Sequence, residues 1–551
     1  MFKKHIYIFS ILLGALSISS TAQEGEFERG NLLLRCQPGV EINELIDEMD
    51  KSHPDWGLYL MEKIVPSMHI WQLGFSTDAD HEKILEAFAG HPWVHTVQSN
   101  LIIHARTNTP NDSLFNSQWQ YVNTGQSGGT PNADLDADSA WALATGGITA
   151  YGDTIVVCVI DDGIDTNHTD FGNNLWVNRA EIPGNGIDDD NNGYVDDRLG
   201  WNVYSNPESD NIAYSGWHGT PVAGIIGAQG NNNRGVTGVN WNVKLMIVVG
   251  GGQVSTLSKV LASYAYPLEQ RRRYNQTNGQ EGAYVVVTNS SWGQDFGQPS
   301  QAPLWCAMYD SLGAAGILNC GATINGNYNV DSVGDLPTAC ASDYLIAVTN
   351  MNHYDLKVSS AGYGASTIDL GCFGEGTYTT ADNNNYYGFG GTSGATPHVT
   401  GAIALAYSML CPELLEIGEQ YPDSLARILK GILLNNTQAN SSLTGITVSG
   451  GRLNLYRFLR GVQDYCNLSM EDLGQKNEIF RLFPNPAHRF TRIESKEGIE
   501  GVWLVDPLGK RSRISVEEGN LIRLDGLTAG MYLLIVEDQD GREHYLRFIK
   551  D

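Results

Sequence analysis

The sequence is poor in positive charge. Its 551 residues hold 34 lysines and arginines against 62 aspartates and glutamates, a net charge of −28. That deficit argues against nucleic acid or an anionic membrane as the main partner. It leaves many carboxylates for hard cations. Long apolar runs are also lacking. The stretch from Ile6 to Ile18 is shorter than the roughly 20 residues a membrane helix needs, and no later segment is long and apolar enough to span a bilayer. There is no CxxC pair and no Cys/His cluster, so nothing suggests zinc. Internal repeats and low-complexity tracts are missing too.

The short apolar stretch has its own meaning. It follows Lys3 and Lys4 and ends near the small residues Ser20 and Ala22, the pattern of a secretory signal covering residues 1–22. The remaining chain is too long for one ordinary domain, and at 42% hydrophobic it can fill a sizeable core. Export permits disulfides. Of the eight cysteines, Cys411 with Cys466 and Cys320 with Cys340 are candidate bridges. Cys158, inside the apolar strand "TIVVCVI", reads as a buried free thiol.

Residues 23–108 read as a compact acidic unit. Strand-like "NLLLRCQPGV", "MHIWQLGF" and "VHTVQSNLIIHAR" alternate with helix-like "EINELIDEMDK" and "DHEKILEAFAG". A turn-rich join follows. From 109 to 466, apolar strands such as "TIVVCVI", "VKLMIVV", "AYVVVTNSSW" and "DYLIAVTNM" alternate with helical stretches. This predicts an α/β domain, a parallel sheet flanked by helices. A polar linker spans 467–478. Residues 479–551 read as a small all-β sandwich domain.

Three stretches of the central block carry chemistry. "VVCVIDDGID" is a strand ending in Asp161, "WHGTPVAGIIGA" sets His218 before a helix, and "GTSGATPHVTG" sets Ser393 at a helix start, with its proline expected in the first turn. Singly, each has a plain reading: a solvated carboxylate, a structural histidine, a helix cap. Together they are an orienter, a base and a nucleophile. They fall at a strand end and two helix starts, where α/β sheets gather their sites.

These three motifs, in this order, resemble the subtilisin-like serine peptidases, over roughly residues 110–466. The resemblance implies that Asp161 orients His218, that His218 is general base and then acid, and that Ser393 attacks the scissile carbonyl. It implies an oxyanion donor in "GILNCGATINGN", with Asn325 the best fit and Asn319 and Asn327 the alternatives. "TNSSWGQ" resembles the family's substrate-binding edge strand, so Ser291, Trp292 and Gly293 would pair with peptide backbone; an ordinary strand and turn is the alternative. Asp162, Pro221 and Gly394 depart from the family's usual residues. Gly394 is expected to leave space beside the nucleophile, and Asp162 to raise the pKa of His218. His398 reads as structural. A surface adhesin of the same fold that has lost activity is the alternative function.

Two loops suggest calcium. In "GNGIDDDNNGYVDD", Asp188, Asp190, Asn192, Tyr194 (through its carbonyl) and Asp196 follow the start of an EF-hand loop, though Leu199 stands where its closing glutamate belongs. The subtilase resemblance implies a second site from Asn232 in "GNNNRGVTGV" and Asp170, with carbonyls of Gly230, Arg234 and Val236 and with Gln118 as a further partner. The 23–108 unit resembles the family's propeptides, which act as folding templates and inhibitors. "LFPNPA", "VWLVDPLGK" and the closing strands resemble sorting domains of the Bacteroidota type IX secretion system. The expected partners are therefore peptide substrates, the chain's own propeptide and that machinery. The expected product is a monomeric protein, secreted or held at the outer cell surface.

Overall fold

The computed structural model describes residues 27–101, 108–205, 207–213, 216–251, 255–474, 480–483, 487, 489–495, 498–505, 511–527, 530–539 and 542–550. The signal stretch 1–22 and most of the "PNPA" motif lie outside the described residues. The chain divides into two compact units, Met1–Ala105 and Arg106–Asp551.

In the first unit, β1 (Phe27–Cys36), β2 (Tyr59–Val65), β3 (Ile70–Gly74) and β4 (Val94–Leu101) form an antiparallel sheet in the order β2-β3-β1-β4, joined by α1 (Ile42–Ser52) and α2 (His81–Ala89). The helices bury Leu45, Met49, Ile84 and Phe88 with Leu32, Leu34 and Leu73. Strand β2 was not legible in the sequence. It is an edge strand with mostly exposed side chains, so it lacks the alternation that marks a half-buried strand.

The second unit begins with a short α3 (Ala137–Trp141) and is built on a nine-stranded sheet. Its members in chain order are β5 (Val156–Asp161), β6 (Gly200–Asn202), β7 (Lys244–Val249), β8 (Val285–Ser290), β10 (Leu318–Ala322), β12 (Leu345–Met351), β13 (Leu370–Phe373), β16 (Gln438–Ala439) and β17 (Gly451–Arg452). They lie in the order β16-β17-β13-β12-β10-β8-β5-β7-β6, parallel except for β16 against β17. Strands β5, β8, β10 and β12 are buried along their whole length, as expected of a parallel sheet covered on both faces.

Helices α4 (Gly219–Gly227), α8 (Thr392–Tyr407), α9 (Pro412–Gln420), α10 (Pro422–Asn435) and α11 (Leu455–Gly474) contribute to one hydrophobic cluster, and α5 (Leu257–Gln276) and α6 (Pro303–Ala314) to another. The unit also holds the two-stranded pair β9 (Gln294–Asp295) and β11 (Asp335–Leu336), the short α7 (Val330–Val333) and the hairpin β14 (Thr377–Ala381) and β15 (Asn385–Phe389). The expected linker at 467 begins as helix instead. In α11, Leu455, Phe458, Leu459, Val462 and Cys466 recur at helical spacing on a buried face, and the helix runs on to Gly474. Strands β18 (Phe480–Phe483), β19 (Phe490–Ser495) and β22 (Leu521–Arg523) form one small sheet. A second consists of β20 (Ile499–Val505), β21 (Arg511–Arg513), β23 (Gly530–Asp538) and β24 (Glu543–Lys550). Their apolar residues, Phe480, Ile493, Leu504, Leu534 and Phe548 among them, make a separate small core.

Two disulfides are present among the described residues, Cys411–Cys466 and Cys306–Cys340. The expected Cys320–Cys340 bridge is therefore wrong. Cys320 lies within β10 and is a buried free thiol, as is Cys158 within β5.

Candidate active site

The fold brings Asp161 and His218 together. Asp161 is the last residue of β5 and is fully buried. Its Oδ1 accepts from the Asp162 backbone N–H at 2.8 Å and from His218 Nδ1 at 2.8 Å. With Nδ1 donating, Nε2 is the basic nitrogen. Burial alone lowers the His218 pKa, but the charge and hydrogen bond of Asp161 and the charge of Asp162 outweigh it, and the net shift is upward. His218 caps α4. Asp162, also fully buried, accepts at Oδ1 from Gly219 N–H at 2.7 Å and at Oδ2 from His218 N–H at 3.3 Å. A carboxylate thus meets the free N–H groups of a helix start. Burial, then the charge of Asp161, raises the pKa of Asp162.

Ser393 is in the first turn of α8, not at its cap. The cap is Gly391, whose φ of +79° favours glycine. Pro397 lies deeper in the helix than expected. A proline there has no N–H to give to the carbonyl four residues back, so the Ser393 carbonyl is released from the helix ladder. It accepts from the Ser291 hydroxyl at 3.1 Å. The Ser393 hydroxyl in turn donates to the Ser291 carbonyl at 3.0 Å, and not to His218. Such catalytic contacts are often loose without substrate. The space expected beside Gly394 is also filled: a Cβ there would meet the Gly374 carbonyl at 2.9 Å. Glycine fits this helix because the backbone before β14 packs directly on it.

Asn325 lies beside the serine. Its Oδ1 accepts from Thr392 N–H at 3.0 Å and Thr392 Oγ1 at 3.1 Å, and among the described residues nothing accepts from its Nδ2. Asn319 is spent on the fold: its amide donates to the Ile317 and Tyr344 carbonyls, and its oxygen accepts from Thr288. Asn327 is exposed on the surface. Ser291, Trp292, Gly293, Asn325 and Ser393 line one pocket. Trp292 is anchored by a 2.6 Å bond from Nε1 to the Ile160 carbonyl. His398 is buried, donates from Nδ1 to the Gly394 carbonyl at 2.8 Å, and has its pKa pushed down to about 4 by burial. It is a neutral core histidine at neutral pH.

The two acidic loops differ in how they are built. Carboxylate oxygens of Asp188, Asp190 and Glu181 lie within 4.8 Å of one another. Glu181 is 2% exposed, and its Oε2 has no hydrogen-bond partner among the described residues. It falls outside the EF-hand-like spacing, so sequence reasoning missed it. Asp196 faces elsewhere and accepts from Asn185 and Gly186 N–H. Asn192 accepts from the Tyr194 N–H and donates to Asp197. In the second loop, Asp170 accepts from Asn232 Nδ2 at 2.8 Å and Val236 N–H at 2.7 Å. The Asn232 oxygen accepts from Arg234 N–H. Gln118 is committed to the backbone of Thr237 and Tyr378. Asp112 is the nearby group that the sequence did not suggest. It is buried, its Oδ1 has no partner among the described residues, and burial, opposed by the Asn231 N–H and reinforced by the charge of Asp170, pushes its pKa up to about 6.

The sequence model of the subtilase family matches residues 152–449, more than half of the 551. The chain belongs to the subtilase family. It is 34% identical over 260 residues to subtilisin-like protease 1 of Plasmodium falciparum (isolate 3D7), a match covering 46% of this chain and 37% of that protein. It is 30% identical over 352 residues to an extracellular protease of Xanthomonas campestris pv. campestris, covering 60% of this chain and 55% of that one. It thus spans less than two thirds of the length of each. Among solved structures, proteases from Pseudoalteromonas arctica align with TM-score 0.46 and 22% identity, over 64% of this chain and all of theirs.

Proposed function

We propose that the protein is a secreted serine endopeptidase that cleaves peptide bonds through an acyl-enzyme on Ser393. The observation that carries this reading is the fully buried Asp161, bonded at 2.8 Å to the Nδ1 of His218, in the fold that also sets Ser393 at the start of α8. In the reaction, Nε2 of His218 takes the proton of Ser393 Oγ as that oxygen attacks the scissile carbonyl. Asp161 holds the ring in the needed tautomer and stabilises the imidazolium. The free Nδ2 of Asn325 and the Ser393 N–H receive the negative oxygen of the tetrahedral intermediate. His218 then returns the proton to the leaving amine.

The remaining parts of the reading have their own supports. Residues 1–22 are the signal and 23–108 an inhibitory propeptide. Two relatives, from Xanthomonas campestris and Dichelobacter nodosus, are named extracellular proteases, which supports export. The separate core of the C-terminal sheets supports a self-standing sorting domain for type IX secretion. Calcium fits the Glu181, Asp188 and Asp190 oxygens, since a buried unpartnered carboxylate oxygen among like charges is stabilised by a hard cation. Calcium would brace this loop and the Asp170 loop and takes no part in the reaction. The test is labelling by a fluorophosphonate together with peptide hydrolysis. Wild type should react at Ser393, and Ser393→Ala should lose both labelling and hydrolysis while staying folded. A folded Ser393→Ala protein that hydrolyses peptides at the wild-type rate refutes the reading.

A further inference from the structure

The pocket beside Ser393 is acidic. It encloses about 60 Å³, space for about four waters, which suits a slim unbranched side chain. One wall is the Ser291–Gly293 stretch and the other is Thr323 to Asn325. Two further lining residues are Asp295 and Asp335, and no lining residue is basic. These two aspartates sit directly opposite each other in the β9–β11 ladder. Like charges in that position destabilise a sheet, so the arrangement calls for a compensating group.

Asp335 is 1% exposed. Its Oδ2 accepts from Thr338 Oγ1 at 2.6 Å, Ile324 N–H at 3.0 Å and Thr323 Oγ1 at 3.1 Å. Its Oδ1 accepts no hydrogen bond from the described residues, although Asp335 lines the pocket. Neither aspartate has an ion pair among the described residues. Three donors on one oxygen suit an ionised carboxylate. Burial pushes its pKa up to about 6, opposed by those donors, so it is charged at neutral pH.

Building on the peptidase reading, we propose that Asp335, assisted by Asp295, selects a lysine or arginine side chain on the acyl side of the scissile bond. The cation would stand between the two carboxylates and supply the charge that the pocket lacks. An apolar side chain would cover the Oδ1 that faces the pocket and leave it desolvated and unpaired, and a glutamate would add a third like charge.

The test is a set of quenched peptides that differ only at that residue: Lys, Arg, Leu, Phe and Glu. For a buried charge partner, kcat/KM should favour Lys or Arg over Leu by about 100-fold, with Glu the poorest. The ratio of Lys to Arg tells which cation the pocket prefers. Asp335→Asn keeps an oxygen for the three donors and removes the charge, so the Lys-to-Leu ratio should drop at least about tenfold. Asp295→Asn, at an exposed site, should lower it about threefold, and it serves if Asp335→Asn fails to fold. Benzamidine should compete with the Lys peptide and weaken in both variants. Equal cleavage of Leu and Lys peptides by a wild type that labels at Ser393 overturns the pocket proposal alone. The same holds if millimolar calcium inhibits all peptides alike and no cation is preferred, since the pocket is then a metal site. Failure of the fluorophosphonate to label, with no peptide cut, refutes the peptidase reading and this proposal with it.

Discussion

The end of β5 and the loop from Glu181 to Asp197 pose the same problem and have different solutions. Each holds more than one carboxylate, and each has a buried oxygen without a hydrogen bond among the described residues: Oδ2 of Asp161 and Oε2 of Glu181. At the end of β5, the next ionisable group is His218, which can carry a proton and is bonded to the same carboxylate. Around Glu181, the next groups are Asp188 and Asp190. The nearby Arg273 spends its guanidinium on the carbonyls of Asp190 and Asn191 and on Glu281. One acidic site thus contains its own countercharge, which the proposed reaction uses. The other must draw one from solvent. The lesson is that a carboxylate's role is set by its nearest titratable neighbour more than by its own burial.

The largest expected effect removes the countercharge relation at β5. Asp161→Asn keeps the side chain's size but favours the wrong tautomer of His218. The turnover number should fall by about 10⁴-fold, with melting nearly unchanged. Stopped assays on purified protein would measure it. A loss under tenfold would mean that Asp161 does not orient the base.

Next comes removal of metal. A cation that binds only the folded state adds RT ln(1 + [L]/Kd), about 2.7 kcal/mol at a hundredfold excess over Kd. EDTA should therefore lower the melting temperature and speed self-digestion, and added calcium should restore both. Glu181→Gln should remove part of that calcium response while leaving kcat unchanged. A calcium response of full size in Glu181→Gln would show that the 181–190 cluster is not the site, and would shift attention to Asp112 and Asp170.

The same contrast explains what the sequence could reveal. The places of Asp161, His218 and Ser393 in the fold were legible because each sits at a boundary the chain announces, a strand end or a helix start. Glu181 was not, because it joins Asp188 across a turn and no spacing rule covers it. Cys320 was misread although its signal was available: it lies in an apolar run like that of Cys158, which was read correctly. Its true alternative, Cys306, sits in α6, and pairing across separate elements is a tertiary fact. Helix α5 is hard to read from the sequence because Pro267 lies inside it and its charged end, Arg271 to Arg273, blurs the apolar face. Arg271 is in fact buried, bonded to the Val285 carbonyl and stacked on Tyr284.

The smallest predicted effect is the sharpest probe of the comparison, because it changes a charge at β5 without replacing any of the three residues proposed to react. Asp162 lies beside the base and contributes to the upward shift of His218, after Asp161. Its hydrogen bonds to the N–H groups of His218 and Gly219 can be kept by the oxygen of an asparagine. Asp162→Asn therefore removes mainly the charge. The active form of His218 is the neutral one, so activity rises as pH climbs through its pKa. Removing a nearby negative charge makes the imidazolium less stable and lowers that pKa. The acid limb of kcat/KM should then move to lower pH. The plateau at higher pH should stay within a few-fold of wild type. The pH profile of the two proteins on one peptide decides it. A limb that stays in place would mean that the Asp162 charge is screened from the ring. A limb that moves to higher pH would refute the effect assigned to the Asp162 charge on the ring.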